Sequence, residues 1–196
     1  MSKRIFDVIF SLGGLMLLAP LLLIIAILVR LDSRGPIFYR GLRTGRYNHQ
    51  FRVFKFRTMT PDAEQLGGGS TAKDDRRITR VGRFLRRYKL DELPQLLNVL
   101  KGDMSIVGPR PELSQYTQLY MGDELLILHV RPGITDHASL EFIRLGEILG
   151  NDAPDAVYEE KVRPLKNALR VKYVREQSFW GDIAIIVRTL KRLIER

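Results

Sequence analysis

The strongest constraint in this chain is an apolar run over residues 5–29, in which Asp7 is the single charge and residues 12–28 carry none. Such a run is long enough to cross the roughly 30 Å hydrocarbon layer as a helix. A cleavable leader is the first competitor, because Lys3 and Arg4 precede it. Against cleavage, the run is too long, no A-x-A site follows, and Arg30, Asp32 and Arg34 come next. Pro20 interrupts the middle, where it removes one backbone hydrogen bond and bends or breaks a helix. Basic residues flank both ends, so loop charge gives no direction of crossing. The residues alone leave two arrangements open. The helix either spans the bilayer, or enters, breaks at Pro20 and returns, with Ser11 placed to satisfy freed carbonyls.

The other end of the chain also suits a membrane surface. Ile183, Ile186, Val187, Leu190 and Ile194 recur at helical spacing, while Arg188, Lys191, Arg192, Glu195 and Arg196 fall on other faces. That pattern fits a basic helix lying in an anionic bilayer surface, and equally one packed on a core with a solvated basic face. Phe179 and Trp180 before it are interfacial anchors or core residues. The net charge of +10 demands an anionic partner: nucleic acid, acidic lipid or phosphorylated substrate. Aromatic residues do not interleave with the basic runs as a base-stacking surface requires, which argues against nucleic acid. With no cysteine, disulfides and thiol nucleophiles are excluded. His49, His129 and His137 have no metal-ligand spacing.

Between these ends, residues 37–41 and 50–56 are rich in β-forming types around Gly45 and Asn48, predicting a short hairpin that must pack on helices or membrane. Residues 58–73, with three adjacent glycines at 67–69, read as a loop, and no Gly-Lys-Ser/Thr follows to make a phosphate-binding loop of it. A basic helix is expected over residues 78–88 and a second over 93–100, ending at Gly102. From residue 111 the chain reads as mainly helical, interrupted at Pro132-Gly133 and around residues 151–154.

The chemistry concentrates in Leu90-Asp91-Glu92-Leu93-Pro94-Gln95-Leu96. Pro94 suits a first helical turn, which puts Asp91 and Glu92 at or before a helix start. Two carboxylates there commonly cap free N–H groups. If Asp91 is the cap, however, Pro94 occupies the position whose N–H would answer it, leaving a carboxylate oxygen available. Arg83, Arg86, Arg87, Lys89 and Lys101 surround the pair; such cations keep carboxylates ionised and attract a diphosphate. Gly108-Pro109-Arg110-Pro111 then holds a guanidinium on a stiff turn, suited to gripping phosphate or simply incidental. Lys55 and Arg57 add cations at a strand end, and Arg131-Pro132-Gly133 a second rigid basic turn.

Taken in order, Lys3-Arg4-Ile5-Phe6-Asp7, Ala19-Pro20, Lys55-Phe56-Arg57-Thr58-Met59, the Asp91-Glu92 run, Gly102-Asp103-Met104-Ser105, Gly108-Pro109-Arg110-Pro111 and Arg131-Pro132-Gly133-Ile134-Thr135 make the chain resemble the small monotopic phosphoglycosyl transferases, the bacterial sugar transferase family, over nearly its whole length. The resemblance implies an α+β, mostly helical fold with an N-terminal re-entrant membrane helix broken at Pro20, a small β-hairpin and several amphipathic interfacial helices. Residues 1–34 would be the anchor and 35–196 a catalytic domain continuous with it, on the cytoplasmic face of the inner membrane, without the extra N-terminal domains of larger relatives. It implies a magnesium-dependent reaction in two steps. Asp91, the nucleophile, attacks the β-phosphate of a UDP-sugar, releases UMP, and passes the phosphosugar to a polyprenyl (undecaprenyl) phosphate, an early membrane step of glycoconjugate or exopolysaccharide synthesis. Glu92 would support magnesium with Asp91 or activate the acceptor. Arg110, Lys55, Arg57, Arg131 and Asp182 would line the substrate-phosphate site. Anionic lipids are further expected partners, and a homodimer is compatible with the sequence. Two departures bear on sugar and nucleotide contacts: Asp136-His137-Ala138-Ser139 replaces the commoner Gly-Trp-Ala-Gln, and Arg170 stands where many members are acidic. The rival readings are a glycosyl transferase releasing UDP, told apart by its nucleotide product, and a basic membrane scaffold, whose function Asp91→Asn would not change.

Overall fold

A computed structural model of the chain describes residues 2–64, 75–142, 145–149 and 154–195. The glycine triplet at 67–69 and most of the interruption expected at 151–154 lie outside these. The described chain is mostly helical, with a few short strands. Its elements run α1 (Ser2–Asp32), β1 (Phe38–Tyr39), β2 (Leu42–Thr44), β3 (Gln50–Arg52), β4 (Lys55–Phe56), α2 (Arg80–Arg87), α3 (Gln95–Lys101), β5 (Ser105–Val107), α4 (Ser114–Thr117), β6 (Gly133–Thr135), α5 (His137–Glu141), α6 (Leu145–Leu149), α7 (Pro154–Val157), α8 (Arg163–Glu176) and α9 (Phe179–Ile194). A 3-10 stretch covers Gly122–His129, and a π-helical turn at Tyr158–Val162 leads into α8.

The apolar run forms one helix, continuous through Pro20, rather than two pieces parted there. A proline deletes a single backbone bond and crowds the carbonyl four residues earlier, which local bending can absorb. Packing holds the half beyond it. Leu22, Ile25, Ala26 and Val29 join Phe56 and Leu85 in one buried cluster. Along the helix Lys3, Asp7, Ser11, Leu18, Leu22, Ile25, Val29 and Asp32 turn toward the protein, following the 3.6-residue period past Gly14. Ile9, Leu12, Met16, Leu17, Leu23, Ile24, Ile27, Leu28 and Leu31 stay exposed on the other side. Among the described residues, α1 is the one helix apolar and long enough to cross a membrane. Ser11 does not serve the carbonyls near Pro20; it is buried, and its Oγ has no hydrogen-bond partner.

Polar contacts fasten both ends of α1 to the same body. Lys3 pairs with Asp182 and donates to the Val107 carbonyl at 3.0 Å. Arg4 donates to the carbonyls of Val99 at 2.6 Å and Leu100 at 3.0 Å, answering the free carbonyls that end α3. Buried Asp7 accepts from Ser105 Oγ at 2.8 Å and from the Ile106 amide at 3.1 Å. At the far end Asp32 accepts from the Val81 amide at 3.1 Å, at the start of α2.

The expected hairpin is present, as two antiparallel ladders in one register. Phe38 faces Phe56, Tyr39 faces Lys55, Leu42 faces Arg52 and Thr44 faces Gln50. Its tip turns through left-handed Tyr47 and Asn48. Fully buried Asn98 on α3 ties the hairpin down, accepting from the Phe54 amide and donating to the Arg52 carbonyl. The basic helix α2 forms within the range expected, with Thr79 as N-cap, and α3 ends at left-handed Gly102. A two-strand parallel pair, β5 with β6, was not expected; the segment at Arg131 is therefore the lead into a strand and not only a turn. Phe51, Val53, Val99, Met104, Ile106, Val107, Tyr173 and Ile185 bring hairpin, α3, β5, α8 and α9 into the main core.

A second buried centre is polar. Arg170 donates to Glu112 at 2.5 Å and to Asn167 at 3.1 Å, while Tyr158 donates to Glu112 at 2.8 Å. The cation at position 170 is thus met by a carboxylate brought from the turn after Arg110. Burial opposes the Glu112 charge, yet Arg170 and Lys166 hold its carboxyl below the ordinary range. Lys166 sits over the Tyr158 ring, 5.0 Å from its centre, and burial pushes its ammonium down to about 8 despite Glu112.

Two outcomes follow from this packing. Gly133 and Gly108 meet backbone to backbone, and a methyl on Gly133 would overlap the Gly108 amide. Gly133→Ala should therefore lower the melting temperature sharply, whereas Gly13→Ala, with open space around it, should not. The folded chain binds a proton at Lys166 less readily than the unfolded one, so stability should rise between about pH 8 and 10.5, by up to about 3 kcal/mol. Denaturant titrations of wild type and Lys166→Met across that range check this; the variant should lose the Lys166 share of the rise and keep that of Lys55, whose ammonium burial also lowers to about 8.

Candidate active site

Three elements converge on the acidic pair. After α2, Lys89 takes a left-handed conformation (φ 57°) and reverses the chain into a 3-10 turn at Leu90–Glu92. Pro94, in a helical conformation, then starts α3. Asp91 is consequently not the cap of α3: it lies one turn before the helix, and no amide of α3 answers its carboxylate. β4 delivers Lys55 from the hairpin, and the Gly108-Pro109 turn delivers Arg110.

The two carboxylates are both buried but differ in their partners. Glu92 is gripped on both oxygens. Arg110 donates to Oε2 at 2.9 Å and pairs with Oε1, which Lys55 also reaches at 3.1 Å. Asp91, 6% exposed, has an Oδ1 with no hydrogen-bond partner. Electrostatics follow this asymmetry. Burial opposes both charges, but Arg110 and Lys55 hold Glu92 well below the ordinary carboxylate range. Burial and the neighbouring Glu92 charge push Asp91 up, against the weaker pull of Lys55, Lys89 and Arg86. The surrounding cations expected to keep both groups ionised therefore do so for Glu92, while at Asp91 desolvation dominates. Burial also moves the Lys55 ammonium down to about 8, opposed by Glu92.

Of the predicted site residues, the structure brings together Asp91, Glu92, Lys55 and Arg110. The others hydrogen-bond elsewhere. Arg57 folds back on the carbonyls of Arg34 and, at 2.8 Å, Ser33, closing the end of α1. Arg131 donates from Nε to the Gly102 carbonyl at 2.9 Å, below α3. Asp182 accepts from Lys3 and, at 2.8 Å, from Tyr173. Each of the three holds the fold, and none bonds to the dyad, Lys55 or Arg110. Arg86, expected only as one of several cations around the pair, donates to Thr58 Oγ1 at 3.0 Å, and its charge acts on Asp91. Its place in a run of arginines did not set it apart from Arg83 and Arg87.

Among the described residues, no cluster of three or more acidic or histidine side chains could cage a metal ion. The dyad nonetheless fits magnesium of the kind that keeps waters and substrate phosphates as ligands, because Asp91 offers a buried, unpartnered oxygen. Glu92, with both oxygens engaged, offers none in this arrangement.

The bacterial sugar transferase family profile matches residues 1–196. The chain is 42% identical over 201 residues to an undecaprenyl-phosphate glucose phosphotransferase of Komagataeibacter xylinus, covering 99% of this chain and 36% of the relative. It is 41% identical over 202 residues to a UDP-glucose:undecaprenyl-phosphate glucose-1-phosphate transferase of Xanthomonas campestris pv. campestris, covering 98% and 39%. It is 34% identical over 195 residues to a UDP-N-acetylgalactosamine-undecaprenyl-phosphate N-acetylgalactosaminephosphotransferase of Aeromonas hydrophila, covering 98% and 43%. The chain thus spans less than half the length of each of these three relatives.

The ion pairs make a sharp stability prediction. Arg110→Ala leaves the buried Glu92 charge with Lys55 alone and should cost roughly 3 kcal/mol. Glu92→Gln combined with Arg110→Ala removes that charge, and should recover a large part of the loss in a double-mutant cycle read by denaturant unfolding.

Proposed function

The chain belongs to the bacterial sugar transferase family, and on that premise we propose that it transfers a sugar 1-phosphate from a UDP-sugar to undecaprenyl phosphate. In the first step an Asp91 carboxylate oxygen attacks the β-phosphorus. The bond from that phosphorus to the bridging oxygen breaks, and UMP leaves with the electron pair. In the second step a phosphate oxygen of the lipid attacks the same phosphorus, the bond to Asp91 breaks, and a polyprenyl diphosphate sugar is formed. Asp91 returns unchanged. Two displacements on one carboxylate let a single site serve a soluble donor and a membrane-bound acceptor in turn.

The observation that carries this reading is the division of the dyad. Asp91 is buried, unpartnered at Oδ1 and raised in pKa, while beside it Glu92 occupies both Lys55 and Arg110. A desolvated carboxylate without hydrogen-bond donors is a better nucleophile than a solvated one. Glu92 stands where a phosphate would compete for the same two cations. An incoming diphosphate takes over Lys55 and Arg110, and Glu92, released, becomes free to accept a proton or a cation. Magnesium, held by Asp91 and the diphosphate oxygens, would neutralise charge on the donor and on departing UMP.

α1 is read here as monotopic, with both ends on the cytoplasmic side. What supports this is that Lys3, Arg4 and Asp7 near its start and Asp32 at its end all bind the body that carries the dyad. Its outer face is apolar throughout and suits lipid. The anchor of residues 1–34 and the catalytic part beyond it then form one continuous unit, with the dyad near the headgroup plane.

The test is to incubate purified protein with single UDP-sugars and no lipid acceptor, and to measure intact mass. One donor should add the mass of its sugar phosphate and release UMP, and Asp91→Asn should give neither while remaining folded and membrane-bound. An Asp91→Asn protein that keeps full turnover, or a wild type that releases UDP in place of UMP, would sink the proposal.

A further inference from the structure

A groove of about 460 Å3 lies between α5, α8 and α9, and shares no lining residue with the dyad. Lys172, Arg188, Lys191 and Arg192 stand on its walls, with Glu141 and Glu195. Four cations thus face two carboxylates. Lys191 reaches Glu195 at 3.7 Å, one turn on in the same helix, and both are largely exposed, so the pair is weak. Lys172, Arg188 and Arg192 make no ion pair or hydrogen bond among the described residues. Holding unpaired like charges around one cavity is unfavourable, and an anion seated there relieves it.

The groove's position selects the kind of anion. At 100° per residue, α9 has three distinct faces. Asp182, Ile185 and Thr189 turn to the protein, while Trp180 (78% exposed), Val187, Leu190 and Ile194 form an outward apolar row. Arg188, Lys191 and Arg192 form a third face bordering that row. With the apolar row in the hydrocarbon of the leaflet that faces the protein, the groove opens beside it, at the depth of lipid phosphates. A volume of this size admits a headgroup and excludes two acyl chains, which the neighbouring apolar row can receive instead.

We infer that this groove binds the phosphate headgroup of an anionic phospholipid, at a site separate from the one that handles donor and acceptor. The inference rests on the membrane-bound reading of the chain. A lipid held there fixes the roll of α9 about its axis, and through α9 its packing on β5 and β6, the pair next to the Arg110 turn.

The experiment floats the full chain with vesicles of phosphatidylcholine alone and with phosphatidylglycerol added. It compares wild type, a groove variant (Lys172→Ala, Arg188→Ala, Arg192→Ala), and a variant losing three exposed cations elsewhere (Arg40→Ala, Arg52→Ala, Lys161→Ala). Each basic residue near an anionic surface contributes roughly fivefold, so the groove variant should bind phosphatidylglycerol vesicles roughly a hundredfold more weakly. The other variant should stay near wild type. All three should bind phosphatidylcholine alike and form the same sugar-phosphate adduct, which shows that they are folded. Equal losses in the two triple variants, or none in either, would overturn the groove as a site and leave only diffuse charge. Glycerol phosphate in free solution that displaces the vesicles at similar phosphate concentration would also overturn it, by identifying a site for a soluble phosphate. Failure of wild type to bind phosphatidylcholine vesicles at all would instead remove the membrane reading on which the inference stands.

Discussion

The fold depends on how an apolar helix keeps three charged residues in its first two turns. Asp7 is buried on the inner face of α1, where an unpaired carboxylate would be prohibitive. Ser105 Oγ and the Ile106 amide answer it, and both belong to β5. Lys3 and Arg4 do the same for neighbouring elements, one joining α9 through Asp182, the other closing the last turn of α3. A helix that could otherwise slide or turn is indexed against three parts of the body that carries the dyad. Because α3 begins just past the dyad, its position relative to α1 sets where the carboxylates stand.

At the dyad, one cause yields two opposite results. Burial raises the cost of both negative charges, but Glu92 has two cations in direct contact and Asp91 has only more distant ones. Adjacent residues in a tight turn cannot share the same two partners, since their side chains leave the backbone in different directions. The difference in chemistry therefore comes from the 3-10 turn, which the left-handed Lys89 makes possible. It separates a carboxylate that organises cations from one whose Oδ1 has no hydrogen-bond partner.

Much of this was legible in the residues. The length of α1, the pairing of residues 37–41 with 50–56, the basic helix and its successor, and the Asp91-Glu92 centre with Lys55 and Arg110 all follow from pattern and motif. The parallel β5–β6 pair did not, because three-residue strands carry no readable period. Pro20 signals a break that side-chain packing on Phe56 and Leu85 overrides. Arg57, Arg131 and Asp182 show a different limit. A motif marks a position as specified without saying whether the side chain serves substrate or scaffold, and these three bond to carbonyls and to distant partners such as Lys3. No local rule anticipates an ion pair between residues 3 and 182.

The single register of the hairpin bears on how this chain tolerates change in length. Lys55 faces Tyr39, and both ladders share one alternation of sides. One residue lost at the tip, around Tyr47 and Asn48, would shorten the loop and leave every pair beyond it in step. One residue lost between Val53 and Lys55 would be another matter, for it inverts the alternation of all that follows. The ammonium now beside Glu92 would exchange places with a phenyl ring. Two deletions of equal size, a few positions apart, would thus differ in kind: the first trims an ornament, the second takes a cation away from Glu92.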